Sequence, residues 1–255
     1  MLIFLLLLHR YFIELSFVGT KYSGWQLQHN GISVQQTLNE KLSLKLGRKV
    51  EVTGAGRTDA GVHAEFFVVH FDTNVEIEQD FIAEMNNFLP NDIVFHCIRK
   101  VKPDAHARFS AISRTYQYRI STKKNPFLYE FSHYYYGKLD LEKMNIAAKI
   151  LLSVSDFTSF SKLHGNNKTN ICKLTKSEWK KQGDMLIFTI TADRFLRNMV
   201  RAIVGTLLDV GKGKISIEQF KNIIDGKNRS LASSSVIAKG LFLTGIEYDS
   251  EIYEE

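Results

Sequence analysis

The chain has 255 residues, of which 44% are hydrophobic and 24% are charged, and 3 are proline. A chain of this size and composition buries one large or two small cores, which excludes a disordered or linker-dominated protein. The net charge of +6 favours an anionic partner such as nucleic acid but does not specify one.

Cysteine usage and the N-terminus indicate the compartment. Cys97 and Cys172 lie far apart without metal-ligand spacing, so we expect structural thiols in a reducing compartment and no disulfide framework. The apolar run from Leu2 to Leu8 is too short to span a bilayer and lacks the basic flank and cleavage site of a signal peptide. We interpret it as a hydrophobic extension and expect a cytoplasmic protein.

In the first half of the chain, alternating apolar residues predict strands and apolar residues three or four apart predict helices. The predicted strands are 12–18, 50–53, 63–73 and 93–101, and the predicted helices are 35–46 and 80–88. Gly47 fits the C-terminal cap of the first helix. A glycine-rich loop, 54–61, separates the second and third strands.

The second half continues the mixture of elements. The predicted strands are 114–122, 177–181, 185–193 and 241–247, and the predicted helices are 141–152, 195–210 and 217–224. Strands and helices alternate without a regular βαβ repeat, which predicts an α+β fold with largely antiparallel sheets. We expect two α+β subdomains, 10–108 and 109–250, with a cleft between them.

The glycine-rich loop is the most informative segment for function. Gly54, Gly56 and Gly61 surround Asp59, so the backbone can turn tightly and a ligand can approach it closely. Taken alone, the loop also fits a simple turn in which Asp59 caps its own backbone and Arg57 is a surface charge.

The run Gly-Arg-Thr-Asp-Ala-Gly-Val-His at 56–63 closely resembles the active-site loop of the TruA family of tRNA pseudouridine synthases. Further segments resemble the family's motifs in the same order. These are 21–28 with 34–35, 106–111 with 114–118, 156–160, and 199–207. The resemblance extends from about residue 11 to about residue 248.

The resemblance implies an isomerase that converts uridine to pseudouridine in tRNA without a cofactor or a metal. The N-glycosidic bond of uridine breaks, the uracil rotates, and a carbon–carbon bond forms at C5. The family's essential aspartate maps onto Asp59. A carboxylate can attack the ribose, abstract a sugar proton or stabilise positive charge at the anomeric carbon, and the sequence leaves these alternatives open.

A carboxylate that stays ionised in a semi-enclosed site needs a cation nearby, and the resemblance assigns that role to Arg201. The apolar stripe of the predicted helix 195–210 places Arg197 and Arg201 one turn apart on another face. Like charges at this spacing repel, so an anionic counterpart is expected; the alternative is a solvated charged edge.

Two more residues take roles from the resemblance. Tyr116 matches the tyrosine expected to stack on the uracil, and Arg57 would support the RNA where the target nucleotide leaves its stack. The alternative for Tyr116 is a sheet-core aromatic, which is the role we predict for Tyr118.

Candidate RNA contacts are basic residues near these motifs. They are Lys21, Arg108, Arg114, Arg197 and Lys239. The segment before Lys239 reads Ser-Ser-Ser at 233–235, where the family often has a more basic stretch, which weakens that assignment. His63 and His70 fall on opposite faces of one strand, so we expect no metal site.

The resemblance further implies that the two sheets join into one central sheet and that the protein is a homodimer. The expected targets are uridines 38, 39 and 40 of the tRNA anticodon stem-loop. Two alternatives stay open from the residues alone. A non-catalytic tRNA-binding module would bind tRNA without modifying it, and a metal-dependent hydrolase would be sensitive to chelators.

Overall fold

The computed structural model describes residues 8–78, 80–162 and 168–254, so the interpretation of Leu2–Leu8 as an extension falls almost wholly outside the described residues. The described part contains nine β-strands and five α-helices, which confirms the predicted α+β class. Contacts divide the chain into two compact units. The first holds the described residues up to Ile112 and those from Gly245 onward, and the second is Ser113–Thr244.

This division differs from the sequence-based one at both ends of the second unit. It begins that unit at Ser113 instead of residue 109, and it returns the last residues of the chain to the first unit. The reason is the last strand, whose residues from Gly245 onward make their contacts with the first unit's residues, as in the bond from Tyr248 to the Ala107 carbonyl oxygen at 2.6 Å.

The first unit is a small antiparallel sheet with two helices. Its elements are β1 (His9–Phe17), α1 (Val34–Leu46), β2 (Thr53–Gly54), β3 (His63–Thr73), α2 (Phe81–Phe88) and β4 (Ile93–Val101). β1 pairs with both β3 and β4, with Ile13 opposite Val69 and Ile98, and β2 pairs with β3. The bounds predicted for β3 and β4 are confirmed. Residues 67–71 of β3 are all buried, because β3 pairs with both β1 and β2.

Side-chain amides connect the helices of this unit to its extended segments. Asn86 of α2 donates to the Phe95 carbonyl oxygen at 2.9 Å and accepts from the Phe95 amide at 2.8 Å. Asn39 of α1 accepts from the Val52 amide at 2.8 Å. The Val52 amide is therefore used by a helix, which explains why the strand predicted at 50–53 is found at Thr53–Gly54 instead.

The second unit combines β-strands with three helices. The elements that lie in it, wholly or in part, are β5 (Ala111–Ser121), β6 (His133–Tyr134), α3 (Leu141–Ile150), β7 (Leu174–Gln182), β8 (Met185–Ala192), α4 (Met199–Gly211), α5 (Ile217–Asp225) and β9 (Leu241–Tyr248), which continues into the first unit at Gly245. β8 pairs antiparallel with β5 and β7, and β6 pairs in parallel with β5. The amide of Asn145 on α3 bonds the backbone of Trp179 in both directions, at 3.1 and 2.8 Å.

The helix α4 is buried on almost every side, as its apolar sequence requires. At Gly205 the backbone of Ser234 approaches so closely that an added Cβ would lie 2.0 Å from its carbonyl oxygen. A glycine at 205 therefore lets the segment 233–236 lie against α4.

Candidate active site

The loop that carries Asp59 is a defined turn between β2 and β3. The Ala55 amide donates to the Val68 carbonyl oxygen at 2.8 Å, which anchors the start of the loop to β3. The Val62 amide donates to the Asp59 carbonyl oxygen at 3.1 Å, and Gly61 between them has φ of 74°. A turn with positive φ at its third residue favours glycine there, so this sequence closes the loop directly after Asp59.

A second segment, 19–25, packs against this loop within the same unit. The Trp25 amide donates to the Thr58 carbonyl oxygen at 3.1 Å, and the Gly61 amide donates to the Tyr22 carbonyl oxygen at 3.4 Å. Gly24 has φ of 97°, and an added Cβ would lie 2.5 Å from the Thr58 carbonyl oxygen. The structure thus brings together two segments that the sequence linked only by resemblance.

Aromatic side chains pack against the start of the loop that carries Asp59. The indole of Trp25 is buried against Phe67 with 4.4 Å between ring centroids, and it also packs against Phe17. A Cβ at Gly54 would lie 2.5 Å from the Trp25 ring. The loop therefore rests on a rigid aromatic layer, which fixes the backbone on either side of Asp59.

The three side chains of Arg57, Thr58 and Asp59 have different exposure. Arg57 is exposed, Asp59 is half-buried, and Thr58 is buried. Within the described residues, the Thr58 hydroxyl has no hydrogen-bond partner, although a buried hydroxyl ordinarily has one. The half-buried carboxylate of Asp59 can therefore contact a ligand without a movement of the loop backbone.

His63 joins the end of the loop to the segment after β1. Its Nδ1 accepts a hydrogen bond from the Gly19 amide at 3.1 Å, and the ring is buried. A Cβ at Gly19 would lie 2.0 Å from the Val62 carbonyl oxygen. The sequence reading weighed His63 only as a metal ligand and missed this positioning role; its place directly after the loop was the available signal.

In the second unit, Tyr116 lies on β5 opposite Ile190 and is half-buried. Its ring meets Phe195 edge-on, with 5.0 Å between centroids and 86° between planes. Tyr118 is fully buried, which confirms the predicted core role, and burial raises the pKa of its hydroxyl above the ordinary value while the charge of Arg201 opposes this. The two tyrosines therefore differ as the sequence predicted, since only Tyr116 keeps an accessible surface.

Arg201 is held by the closing segment of the same unit. Its Nε donates to the Val236 carbonyl oxygen at 2.8 Å, and the Val236 amide donates to the Arg201 carbonyl oxygen at 3.2 Å. This reciprocal pair restricts the side chain of Arg201, which lies in the first turn of α4. A guanidinium bonded through Nε can still present its two terminal nitrogens to a carboxylate or phosphate.

The prediction that Arg197 and Arg201 lie one turn apart on one helix is wrong. α4 begins at Met199, and Asn198 before it has a left-handed conformation with φ of 65°. The Asn198 amide nitrogen donates to the Ser235 hydroxyl at 2.6 Å, a tertiary contact that stabilises this break. Arg197 is therefore an exposed residue of the preceding turn.

The remaining predicted RNA contacts are distributed over both units. In the first, Lys21 is exposed with its ammonium 4.0 Å from Asp92, and exposed Arg108 lies 5.5 Å from the ring centroid of Phe109. In the second, Arg114 donates to the Asp193 carbonyl oxygen at 2.8 Å, and the ammonium of Lys239 lies 3.4 Å from the ring centroid of Tyr129.

A histidine pair underlies the segment that carries Arg108. The rings of His70 and His106 lie 4.6 Å apart, and Nδ1 of His70 accepts from the Ala107 amide at 3.1 Å. Burial, with a further contribution from the charge of Arg10, lowers the pKa of His70 to about 4. His70 is therefore neutral at physiological pH and serves as an acceptor.

The described residues also bear on other kinds of site. They contain no group of three or more His, Cys, Asp or Glu side chains that could hold a metal ion. Over the same residues, no helix is both long and apolar enough to cross a membrane.

Comparison with known proteins identifies relatives along the whole chain. A sequence profile of a family described as tRNA pseudouridine synthase matches residues 147–249. The tRNA pseudouridine synthase A of Bacteroides thetaiotaomicron is 51% identical over 252 residues, which cover 97% of this chain and 94% of that protein.

Two further relatives carry the same name. The tRNA pseudouridine synthase A of Bacteroides fragilis is 53% identical over 248 residues, covering 96% of this chain and 98% of that protein. That of Francisella tularensis subsp. holarctica is 36% identical over 241 residues, covering 93% of each chain. These alignments include the regions of both Asp59 and Arg201, because they leave at most a few per cent of the chain uncovered.

Proposed function

The chain belongs to the TruA family of tRNA pseudouridine synthases, and we propose that Asp59 is the carboxylate on which its isomerisation of uridine depends. Membership makes the chain an isomerase that acts on tRNA rather than a tRNA-binding module without catalysis. The observation that carries the assignment to Asp59 is the loop itself. A half-buried carboxylate lies on a turn whose backbone is fixed on both sides by hydrogen bonds and glycine contacts.

The reaction needs a carboxylate but no redox step. The N1–C1′ bond of uridine breaks, the uracil turns, and C5 bonds to C1′. The C5 proton then leaves, and N1 takes up a proton, so atoms and charge balance. During this sequence C1′ loses its bond to N1, and the Asp59 carboxylate assists by attack on the ribose, by abstraction of a sugar proton or by stabilising positive charge at C1′.

The proposed site also contains Tyr116, Arg201 and Arg57. Tyr116 stacks on the uracil, which its partial exposure allows. Arg201, held through Nε by Val236, is the cation that the resemblance pairs with the Asp59 carboxylate. Arg57 supports the RNA around the extruded nucleotide, which its exposure allows.

In this proposal phosphates are contacted by five basic residues, of which three are exposed and two are half-buried. They are Lys21, Arg108, Arg114, Arg197 and Lys239. Lys239 is the weakest of the five, because its ammonium already lies on the ring of Tyr129.

The finer features implied by the resemblance are part of the same proposal. They are the cytoplasmic location, the homodimer, and the targets at positions 38, 39 and 40 of the anticodon stem-loop.

The experiment that tests the function is tritium release from tRNA labelled at C5 of uridine, without added metal or nucleotide. We expect release from tRNAs with uridine at position 38, 39 or 40, and none when all three are replaced by cytidine. Release that persists with cytidine at all three positions would refute the assigned targets. Binding of tRNA without release from any substrate would refute the isomerase.

A further inference from the structure

Residues 232–236, here called the serine segment, read Ala-Ser-Ser-Ser-Val. In the sequence, the three serines are notable only because the TruA family often has a more basic stretch at this place. In the structure, the serine segment contacts α4 and the residue before it at positions 198, 201, 205 and 206. Residues at this spacing lie on one face of a helix, so the segment follows a single face of α4.

The first half of the serine segment lies against the middle of α4. The Ser233 amide donates to the hydroxyl oxygen of Thr206 at 3.2 Å. The Ser234 carbonyl oxygen lies so close to Gly205 that an added Cβ would be 2.0 Å away. Later residues of the segment therefore meet earlier residues of the helix, which means that the two run in opposite directions.

The second half of the serine segment meets the start of α4. The hydroxyl oxygen of Ser235 accepts from the side-chain amide of Asn198 at 2.6 Å and from the guanidinium of Arg229 at 3.1 Å. The next residue, Val236, accepts from Nε of Arg201 at 2.8 Å. The Ser235 hydroxyl thus lies on the residue directly before the one that anchors Arg201.

Arg229 connects the two ends of the serine segment. One of its terminal nitrogens donates to the Ala232 carbonyl oxygen at 3.1 Å, and the other donates to the Ser235 hydroxyl at the same distance. A guanidinium is planar and its donors have fixed directions, so it holds two acceptors at a set separation. The path of the backbone between residues 232 and 235 is therefore restricted.

The anchored arginine occupies a position that is electrostatically unfavourable. The N-terminus of a helix carries a partial positive charge and favours carboxylates in the first turn. The first turn of α4 contains Arg201 and no acidic residue. A side chain that breaks such a local rule, and that is held by bonds from a distant segment, is typical of a functional site.

We propose that Ser235 is a positioning residue for Arg201. By accepting from Asn198 and Arg229, its hydroxyl fixes the left-handed start of α4 and the Val236 carbonyl oxygen, so the terminal nitrogens of Arg201 keep one direction. Without the hydroxyl, both donors turn to water and the anchor of Arg201 loosens. The inference rests on the proposed function, since it takes Arg201 to belong to the site.

The test compares wild type, Ser235→Ala, Arg201→Lys and the double variant. The single-turnover rate of tritium release is measured at saturating tRNA, and the affinity for tRNA is measured separately. We expect Ser235→Ala to slow release about 5–20-fold, because a misplaced group costs rate, while the affinity stays within about twofold. In the Arg201→Lys background, the same substitution should change the rate by less than about twofold, because the two residues act as a unit.

A nuclear magnetic resonance signal reports on the anchor without reference to activity. The Nε–H resonance of Arg201 is identified by its loss in Arg201→Lys. Its hydrogen exchange with water should be at least about tenfold faster in Ser235→Ala than in wild type, because the Nε–H spends more time unbonded. Ser233→Ala is the matched control, since Ser233 contacts Thr206 through its backbone amide, which alanine keeps. It should leave the rate and the Arg201 resonance unchanged.

Any of three results would overturn the proposal: an unchanged rate in Ser235→Ala, an equal loss of rate in both backgrounds, or unchanged exchange at Arg201. A loss of tRNA affinity in both serine variants would instead make the segment an RNA contact. If Ser235→Ala does not fold, Arg229→Lys replaces it, because lysine cannot bridge Ala232 and Ser235.

Failure of the proposed function gives a different pattern. Wild type would release no tritium, or Arg201→Lys would release it at the wild-type rate. Faster exchange at Arg201 in Ser235→Ala would then leave the anchoring by Ser235 standing.

Discussion

The backbone amide of Trp25 donates a hydrogen bond to the carbonyl oxygen of Thr58 at 3.1 Å, and this bond fixes the residue that precedes Asp59. Since Gly24 lies against the same carbonyl oxygen, the approach of the two segments depends on the absence of a side chain at position 24. A substitution that disturbs this contact should therefore lower both the free energy of unfolding and the turnover rate.

Gly24→Ala tests that contact. An alanine Cβ would lie 2.5 Å from a backbone oxygen and would have to adopt φ of 97°, so the loop must move. We expect the free energy of unfolding to fall by about 2 kcal/mol or more, and turnover to fall at least about tenfold. Gly47→Ala is the control, because its φ is also positive but no atom lies within 4 Å. It should lose about 1 kcal/mol and keep its activity; equal activity in both variants would refute the coupling.

Thr58→Val tests the buried hydroxyl beside Asp59. Because this hydroxyl has no hydrogen-bond partner within the described residues, its removal should leave the free energy of unfolding unchanged or raise it by about 1 kcal/mol. Thr206→Val is the comparison, since that buried hydroxyl donates to the Ala202 carbonyl oxygen at 2.9 Å and should cost about 1–3 kcal/mol. Urea unfolding measures both, and a large loss in Thr58→Val would show that the hydroxyl is bonded in the folded protein.

Arg201→Lys tests the role of the guanidinium. Lysine keeps the positive charge but cannot donate to the Val236 carbonyl oxygen through Nε and also present two further nitrogens. We expect the single-turnover rate to fall about 10–100-fold with the fold intact. Arg119→Lys changes an arginine that lies over the Phe242 ring in the same unit and should stay within about threefold of wild type. An unchanged rate in Arg201→Lys would remove Arg201 from the site.

The pH dependence of stability tests His70. Its pKa is lowered to about 4, mainly by burial, so the unfolded chain takes up a proton near pH 6.5 that the folded chain does not. The stability is therefore full above pH 6.5 and is lost as the pH falls from about 6.5 to about 4, by at most about 3 kcal/mol.

Asp72 and His106 face His70 and also titrate in acid, and Arg10 faces it with a constant charge, so the comparison must be with a variant. His70→Asn keeps an acceptor for the Ala107 amide but does not titrate. Denaturant unfolding at several pH values should give a smaller acid loss for this variant than for wild type. Equal slopes would mean that His70 titrates normally.

Much of the fold could be predicted because its signals are local. The strands at His63–Thr73 and Ile93–Val101 are rich in β-branched and aromatic residues, and their predicted bounds are confirmed. The start of α4 could not be predicted, because Phe195 and Leu196 continue the apolar stripe while Asn198 is held in a left-handed conformation by Ser235, 37 residues away. The tertiary contact between Asn198 and Ser235 therefore overrides the helical pattern of the preceding residues.

In the candidate site, too, some residues could be predicted from the sequence and some contacts could not. Asp59 and its loop could be identified from sequence, since glycine spacing and resemblance both point to them. The reciprocal bonds of Arg201 with Val236 and the acceptor role of His63 depend on chain segments far apart in sequence. No local pattern encodes such contacts.

The measurement that tests the central claim most directly is C5 tritium release in a single turnover by wild type, Asp59→Asn and Asp59→Ala with the same labelled tRNA. Asparagine keeps the shape and backbone of the turn but removes the charge, and neither variant should alter the packing of the loop. We expect release by wild type alone, while both variants still bind tRNA and unfold at the same urea concentration as wild type. Release by Asp59→Asn at a rate near that of wild type would contradict it.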